Sequence, residues 1–146
     1  EVEHTKASKI RDSDGEIWHR MGDLGYFDEQ GRLWFCGRKS HRVVCSSGEV
    51  MFPVRCEAIF NVDPEVARSA LVGVDGRPLI VIERTPVRGS TDVELRMRLL
   101  NLAKLNFLTK EIELLLFHPS FPVDVRHNAK IHRIQLADWA KERKPQ

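Results

Sequence analysis

Two apolar runs separated by a short turn constrain the fold of this chain more than any other feature. Ala70-Leu71-Val72-Gly73-Val74 and Leu79-Ile80-Val81-Ile82-Glu83 flank Asp75-Gly76-Arg77-Pro78, whose Gly and Pro punctuate a turn, so the runs read as a hairpin with both strands central. Thr91-Asp92-Val93-Glu94 then forms a capping box. Behind it Leu95, Leu99, Leu102 and Leu105, flanked by Met97 and Leu100, recur at helical spacing through about residue 106. This helix packs on the sheet. Ile112 to Phe117 is a third apolar strand, Pro119 and Pro122 break the chain, and Ile134 to Arg143 forms a last helix. The order hairpin, helix, strand, helix predicts a small α+β unit with a three-stranded sheet, one face of which is covered.

The preceding segment has a different texture. Residues 1–15 are polar and end in the turn Asp12-Ser13-Asp14-Gly15. Ile17 to Met21, Leu24 to Phe27 and Arg32 to Cys36 are strand-like, with Asp28-Glu29-Gln30-Gly31 as a turn, so residues 16–37 read as one small antiparallel sheet. From Lys39 the chain becomes a polar crossing. Val43-Val44-Cys45 is a short strand, Ser46-Ser47-Gly48-Glu49 a turn, and Pro53 sits at the first position of a helix over about residues 53–61. No internal repeat or low-complexity tract is expected.

Composition narrows the function classes. The net charge of +2 comes from 23 basic and 21 acidic residues spread along 146 positions, without the basic stripe and interleaved aromatics that nucleic-acid binding needs. No run of 18 apolar residues, secretory leader or lipidation signal is present, which reads as a soluble, cytoplasmic chain. Cys36, Cys45 and Cys56 show neither CxxC spacing nor a paired His tract, so they read as buried hydrophobes in a reducing compartment, with no metal site. His41, His118, His127 and His132 have no triad partner or metal spacing and read as structural or surface residues.

Four features exceed what a plain scaffold needs. Asp23, between Gly22 and Gly25, is either a turn-capping acid or an acceptor for a pair of sugar hydroxyls. Arg38, after Gly37 at a strand end, is either a surface ion-pair partner or a fork for phosphate or ribose oxygens. Ser46-Ser47-Gly48-Glu49 is a hairpin connector or a backbone approach to a ligand. Arg126-His127-Asn128-Ala129-Lys130-Ile131-His132-Arg133 is a solvated basic turn, or a loop that delivers Lys130 as a point charge. At about 4 Å from a phosphate oxygen and an effective dielectric of ~20, that charge gains on the order of 4 kcal/mol. Neither GxxxxGK[ST] nor GxGxxG occurs, so any triphosphate cradle lies outside the chain.

In this order, Gly22-Asp23-Leu24-Gly25-Tyr26-Phe27-Asp28-Glu29-Gln30-Gly31, Leu33-Trp34-Phe35-Cys36-Gly37-Arg38, Pro53 with Glu57, and Lys130 with Arg133 resemble the C-terminal motifs of the adenylate-forming superfamily. The resemblance implies that residues 1–39 finish a large N-terminal adenylation domain and that residues 40–146 are a mobile C-terminal lid, with Ser40 at the hinge. It implies ATP with Mg2+ as cosubstrate, Asp23 on the ribose hydroxyls, Arg38 at ribose and phosphates, Lys130 as the catalytic residue, and Gly48 and Arg133 in support. The chain alone is expected to be inactive.

A narrower resemblance joins Trp34 to Val43 and Arg126 to Ile131 with the olefin β-lactone synthetases of bacterial long-chain hydrocarbon biosynthesis. It implies adenylation of a long-chain 2-alkyl-3-hydroxy acid and closure to a β-lactone, within a multi-enzyme hydrocarbon-forming assembly. CoA is not expected, since Val44 stands where a lysine linked to the thioester step is often found. Two other readings stay open. One is a fatty acyl-CoA ligase of the same superfamily. The other is a non-catalytic docking module, which an exposed apolar patch on the long helix would favour.

Overall fold

The computed structural model describes residues 9–87, 89–124 and 130–143, and the chain forms two compact units, Glu1–Ser40 and His41–Gln146. Both combine short antiparallel ladders with polar turns, and the second adds three helices, giving the expected α+β class.

The first unit is built from two separate hairpins rather than the single sheet expected over residues 16–37. Strand β1 (Lys9–Arg11) pairs with β2 (Ile17–His19), and β3 (Asp23–Phe27) with β4 (Leu33–Arg38). The two share one turn design, which corrects the expectation of no internal repeat. Asp12 accepts from the Asp14 and Glu16 backbone N–H groups and, at 2.6 Å, from the Trp18 indole N–H. Asp28 accepts from the Gln30 and Arg32 backbone N–H groups and, at 2.7 Å, from the Trp34 indole N–H. In each turn a glycine with left-handed backbone, Gly15 (φ 84°) or Gly31 (φ 75°), completes the reversal. Each hairpin therefore closes on its own carboxylate. The indole N–H is the main reason both carboxyls sit below their ordinary range, against the opposing effect of desolvation. Trp18, Met21, Phe27, Leu33 and Phe35 are exposed.

In the second unit, β5 (Val43–Val44) and β6 (Val50–Met51) form a small hairpin that leads into α1 (Pro53–Phe60), with Pro53 in its first turn. β7 (Val66–Val74) and β8 (Arg77–Arg84) are antiparallel; α2 (Asp92–Lys104) follows, and β9 (Leu114–Phe117) returns parallel to β8. Among the described residues the order β7-β8-β9 puts β8 in the centre and β7 at an edge, so the reading of both hairpin strands as central holds for one of them. Helix α3 (Arg133–Arg143) closes the described part of the chain.

Both faces of this sheet are covered, where one was expected. Leu71, Ile80, Ile82 and Leu115 pack with Phe60 of α1 and with Leu95, Leu99 and Ala103 of α2. Ala70, Val72, Leu79 and Val81 pack with Phe121 and with Leu136 and Ala140 of α3. The cause is in the strands: successive residues point to opposite faces, and a run apolar at every position needs a layer on each. Helix α2 begins at the expected capping box, in which Thr91 Oγ1 accepts from the Glu94 N–H and Glu94 Oε2 from the Thr91 N–H. Its buried stripe ends at Ala103, not Leu105, which caps the helix and points outward together with Val93, Met97 and Phe107. Among the described residues no helix is long and apolar enough to cross a membrane.

A charged network ties the open end of the sheet to α2. Arg84, 5% exposed, pairs with Glu65 and Asp92, while Arg98 pairs with Asp63 and Glu65, and Ser90 Oγ donates to Glu65 at 2.6 Å. The Ser90 hydroxyl first, then the two guanidiniums, lower the Glu65 carboxyl from 4.5 to about 2. A carboxyl depressed on folding stabilises the native state above its unfolded value, and that contribution disappears as pH falls through the folded value. Glu65→Gln is therefore expected to lower the thermal midpoint at neutral pH and to flatten the loss of stability between pH 4.5 and about 2, as read by melts across that window.

Candidate active-site elements

Each candidate residue is placed by local backbone chemistry. In the first unit, Asp23 and Arg38 face each other across the β3–β4 ladder, with Arg38 Nε 3.7 Å from Asp23 Oδ1. Two glycines frame them: Gly22 (φ 76°) and Gly37 (φ 100°) adopt left-handed conformations, and the Lys39 N–H donates to the Gly22 carbonyl at 2.8 Å. The pair therefore sits where the ladder ends, with 38% of the Asp23 and 53% of the Arg38 side chain exposed. A carboxylate and a guanidinium in this arrangement offer two acceptor oxygens and a planar donor fork to one ligand.

The ladder slips by one residue between Leu24 and Gly25, and this bulge needs a glycine. A Cβ at Gly25 would lie 2.8 Å from the Trp34 carbonyl oxygen, a backbone atom that cannot yield cheaply. Gly25→Ala is expected to destabilise this hairpin by about 1–3 kcal/mol. Hydrogen exchange would show faster exchange across residues 23–38 and no change in β7 to β9.

In the second unit, Lys130 lies at the root of a loop whose two arms are joined by an isolated antiparallel bridge between Val123 and Ile131. The Asp124 N–H donates to the Lys130 carbonyl and the His132 N–H to the Pro122 carbonyl, both at 2.9 Å. Arg126, His127, Asn128 and Ala129 of the expected cationic segment lie outside the described residues. Lys130 is exposed, and among the described residues its ammonium forms no ion pair.

A carboxylate holds each arm of this loop. Glu83 on β8 accepts the Phe121 N–H at 2.8 Å, and Phe121 itself is buried against the sheet. On the other arm, Arg133, the first residue of α3, donates to both oxygens of Glu57 on α1, at 2.5 and 2.9 Å. Glu57 Oε1 also accepts the Leu71 N–H at 2.7 Å, while Arg133 Nη1 donates to the Leu71 carbonyl at 3.3 Å. Both backbone groups of one residue of edge strand β7 are thereby satisfied by a largely buried ion pair.

Gly48 lies in the β5–β6 turn, whose backbone closes through the Gly48 N–H to the Cys45 carbonyl and the Cys45 N–H to the Glu49 carbonyl. Ser46 fastens this turn to the β7–β8 turn, donating to the Gly76 carbonyl from N at 2.7 Å and from Oγ at 3.1 Å. Ser40 is the last residue of the first unit. The structure thus brings Asp23 to Arg38 in one unit, and in the other it joins Arg133 to Glu57, three residues from Lys130. Glu57 and Glu83 were not singled out as anchors by their sequence. The available signal for Glu57 was a glutamate on the apolar face of a short helix, beside Cys56 and Phe60 and in need of a cation.

Cys56 is buried, its thiol pushed up to about 12, mainly by burial, and it donates to the Leu108 carbonyl. It is a packing residue. Among the described residues no three His, Cys, Asp or Glu side chains gather to hold a metal ion.

Comparison with known proteins fits this geometry into a larger group. No protein-family model matches the chain. The chain is 46% identical to an olefin β-lactone synthetase of Xanthomonas campestris over 96% of its residues, and 47% identical to one of Stenotrophomonas maltophilia over 93%. It spans only 27% and 26% of the length of these relatives. In three dimensions it superposes on the anthranilate CoA ligase AuaEII, solved with anthranoyl-AMP, with a TM-score of 0.78 and 20% identity over 97% of this chain and 27% of the ligase. That likeness shows a shared fold. By sequence and fold together, the chain belongs to the adenylate-forming superfamily, as a relative of the olefin β-lactone synthetases.

Proposed function

We propose that this chain is the C-terminal part of an enzyme that activates a long-chain 2-alkyl-3-hydroxy acid with ATP and closes the acyl-AMP to a β-lactone. Kinship with the olefin β-lactone synthetases supports the choice of reaction. The observation that carries the mechanism is Lys130, an exposed ammonium on a loop braced at both arms.

In the first step a substrate carboxylate oxygen attacks the α-phosphorus of ATP and pyrophosphate leaves. Negative charge gathers on the carboxylate and α-phosphoryl oxygens, and Lys130 is the cation that stabilises it. One well-placed donor of this kind contributes about 3–4 kcal/mol, or roughly 100- to 1000-fold in rate. Asp23 accepts the ribose hydroxyls and Arg38 reaches ribose and phosphate oxygens, using the open sides of their pair. Ser40 is the hinge between the units, and Gly48 and Arg133 support the site. In the second step the 3-hydroxyl oxygen of the substrate attacks the acyl carbonyl, the bond from that carbon to the AMP oxygen breaks with AMP leaving, and the hydroxyl proton passes to solvent. This nucleophile is part of the substrate, so no CoA is needed.

A CoA ligase is the second reading, favoured by the fold shared with the anthranilate CoA ligase. Turnover of a long-chain 2-alkyl-3-hydroxy acid by the complete enzyme, with ATP and first without CoA, separates the two. Lactone and AMP are expected without CoA, and Lys130→Ala is expected to slow adenylation by about 100- to 1000-fold. Acyl-CoA formed only on addition of CoA would establish the ligase, and an undiminished variant would remove Lys130 from the mechanism.

A further inference from the structure

We propose that Glu57 is a positioning residue for Lys130, acting through Arg133; the proposal rests on the reading of Lys130 given above. Only Ile131 and His132 separate Lys130 from Arg133. Three extended steps span about 10 Å at most, so displacement of Arg133 is passed to Lys130 with little slack. Ile131 cannot absorb it, being held in the bridge to Val123 and packed against the apolar cluster under α3. The location of the Lys130 root is therefore set jointly by this bridge and by where the Arg133 guanidinium is held.

Glu57 fixes that guanidinium in direction as well as distance. Both carboxylate oxygens take a guanidinium N–H, and Leu71 supplies a backbone donor to the acid and an acceptor to the base. A bidentate pair with both partners tied to the backbone of the same residue is strongly restricted in orientation. Glu83 secures the opposite arm through Phe121, before Pro122, and does not reach the Arg133 guanidinium on the α3 side. The pair has a second effect. An uncompensated Arg133 would present a rival cation three residues from Lys130, and Glu57 offsets that charge, so an anionic ligand is drawn to the ammonium.

The test uses the complete enzyme carrying Glu57→Gln, which keeps the shape and an acceptor for the Leu71 N–H but loses the charged fork. Arg133→Lys, which retains a cation for Glu57, is the second variant should the first fail to fold. Two readouts are taken from folded protein: ATP–pyrophosphate exchange, and hydrogen exchange by mass spectrometry of peptides covering 121–124 and 130–133. The expected result is a fall in kcat of at least about tenfold with KM for ATP changed less than about twofold. The two loop-arm peptides should exchange about tenfold faster while β8 is unchanged. Loop arms that stay protected would overturn the proposal, and so would a fall in rate that comes entirely from KM. If Lys130→Ala leaves pyrophosphate exchange intact, the functional reading fails instead, and the loop-arm peptides alone decide whether Glu57 sets this loop.

Discussion

The middle strand of the second unit determines what everything around it must do. Leu79, Ile80, Val81 and Ile82 are wholly buried, and four successive apolar residues on a pleated strand present two apolar faces that no single layer can cover. Helices α1 and α2 take one face and α3 the other. Charged groups are then left with the margins of the sheet. On edge strand β7 the Glu57–Arg133 pair satisfies both backbone groups of Leu71, and on edge strand β9 Arg96 of α2 donates to the Leu115 carbonyl at 2.5 Å. Closing edge positions with charged side chains also leaves them unavailable to a foreign strand.

This distribution bears on the chemistry proposed for Lys130. A surface lysine on a free loop samples many positions, and ordering it during each catalytic cycle costs conformational entropy. Here the loop roots are fixed in advance by two carboxylates drawn from α1 and β8. What remains to be placed on the proposed reading is the Lys130 side chain. Asp23 and Arg38 show the same economy in the first unit, since two left-handed glycines and a bulge set both side chains at the ladder end.

The parts legible in the sequence are those governed by local rules. The hairpin turn at Asp75-Gly76, the capping box at Thr91 and Glu94, the start of α1 at Pro53 and the extent of α3 follow from nearby residue types. The misjudged features depend on distant partners or on pattern length. β1 was missed because Lys9-Ile10-Arg11 is too short and polar to signal a strand without Ile17-Trp18-His19 opposite it. The second covered face follows from the unbroken apolar run 79–82, whereas the amphipathic pattern of α2 by itself accounts for one face only. The repeated Asp-x-x-Gly-x-x-Trp turn escaped notice because only three positions in seven carry it. For the candidate site, the order of motifs pointed to Asp23, Arg38 and Lys130 as candidates, but the Glu57–Arg133 link spans 76 residues and no local pattern announces it.

The two loops of interest in the second unit are fastened to the same sheet. Ser46 pins the Gly48 turn to Gly76, Lys141 of α3 pairs with Asp75 beside it at 3.5 Å, and α3 begins at Arg133. A motion of this unit would therefore carry the Gly48 turn and Lys130 together, without changing the spacing between them. For the two steps proposed, this asks little of the Gly48 turn. Lactone closure brings its nucleophile within the substrate, at effective molarities that reach ~10⁵ M or more in well-oriented cases, so the second step has no incoming thiol to admit. Val44, at the base of that turn, is an aliphatic residue 53% exposed. Its side chain carries no charge, which fits a second step that recruits no further anionic substrate, as proposed above.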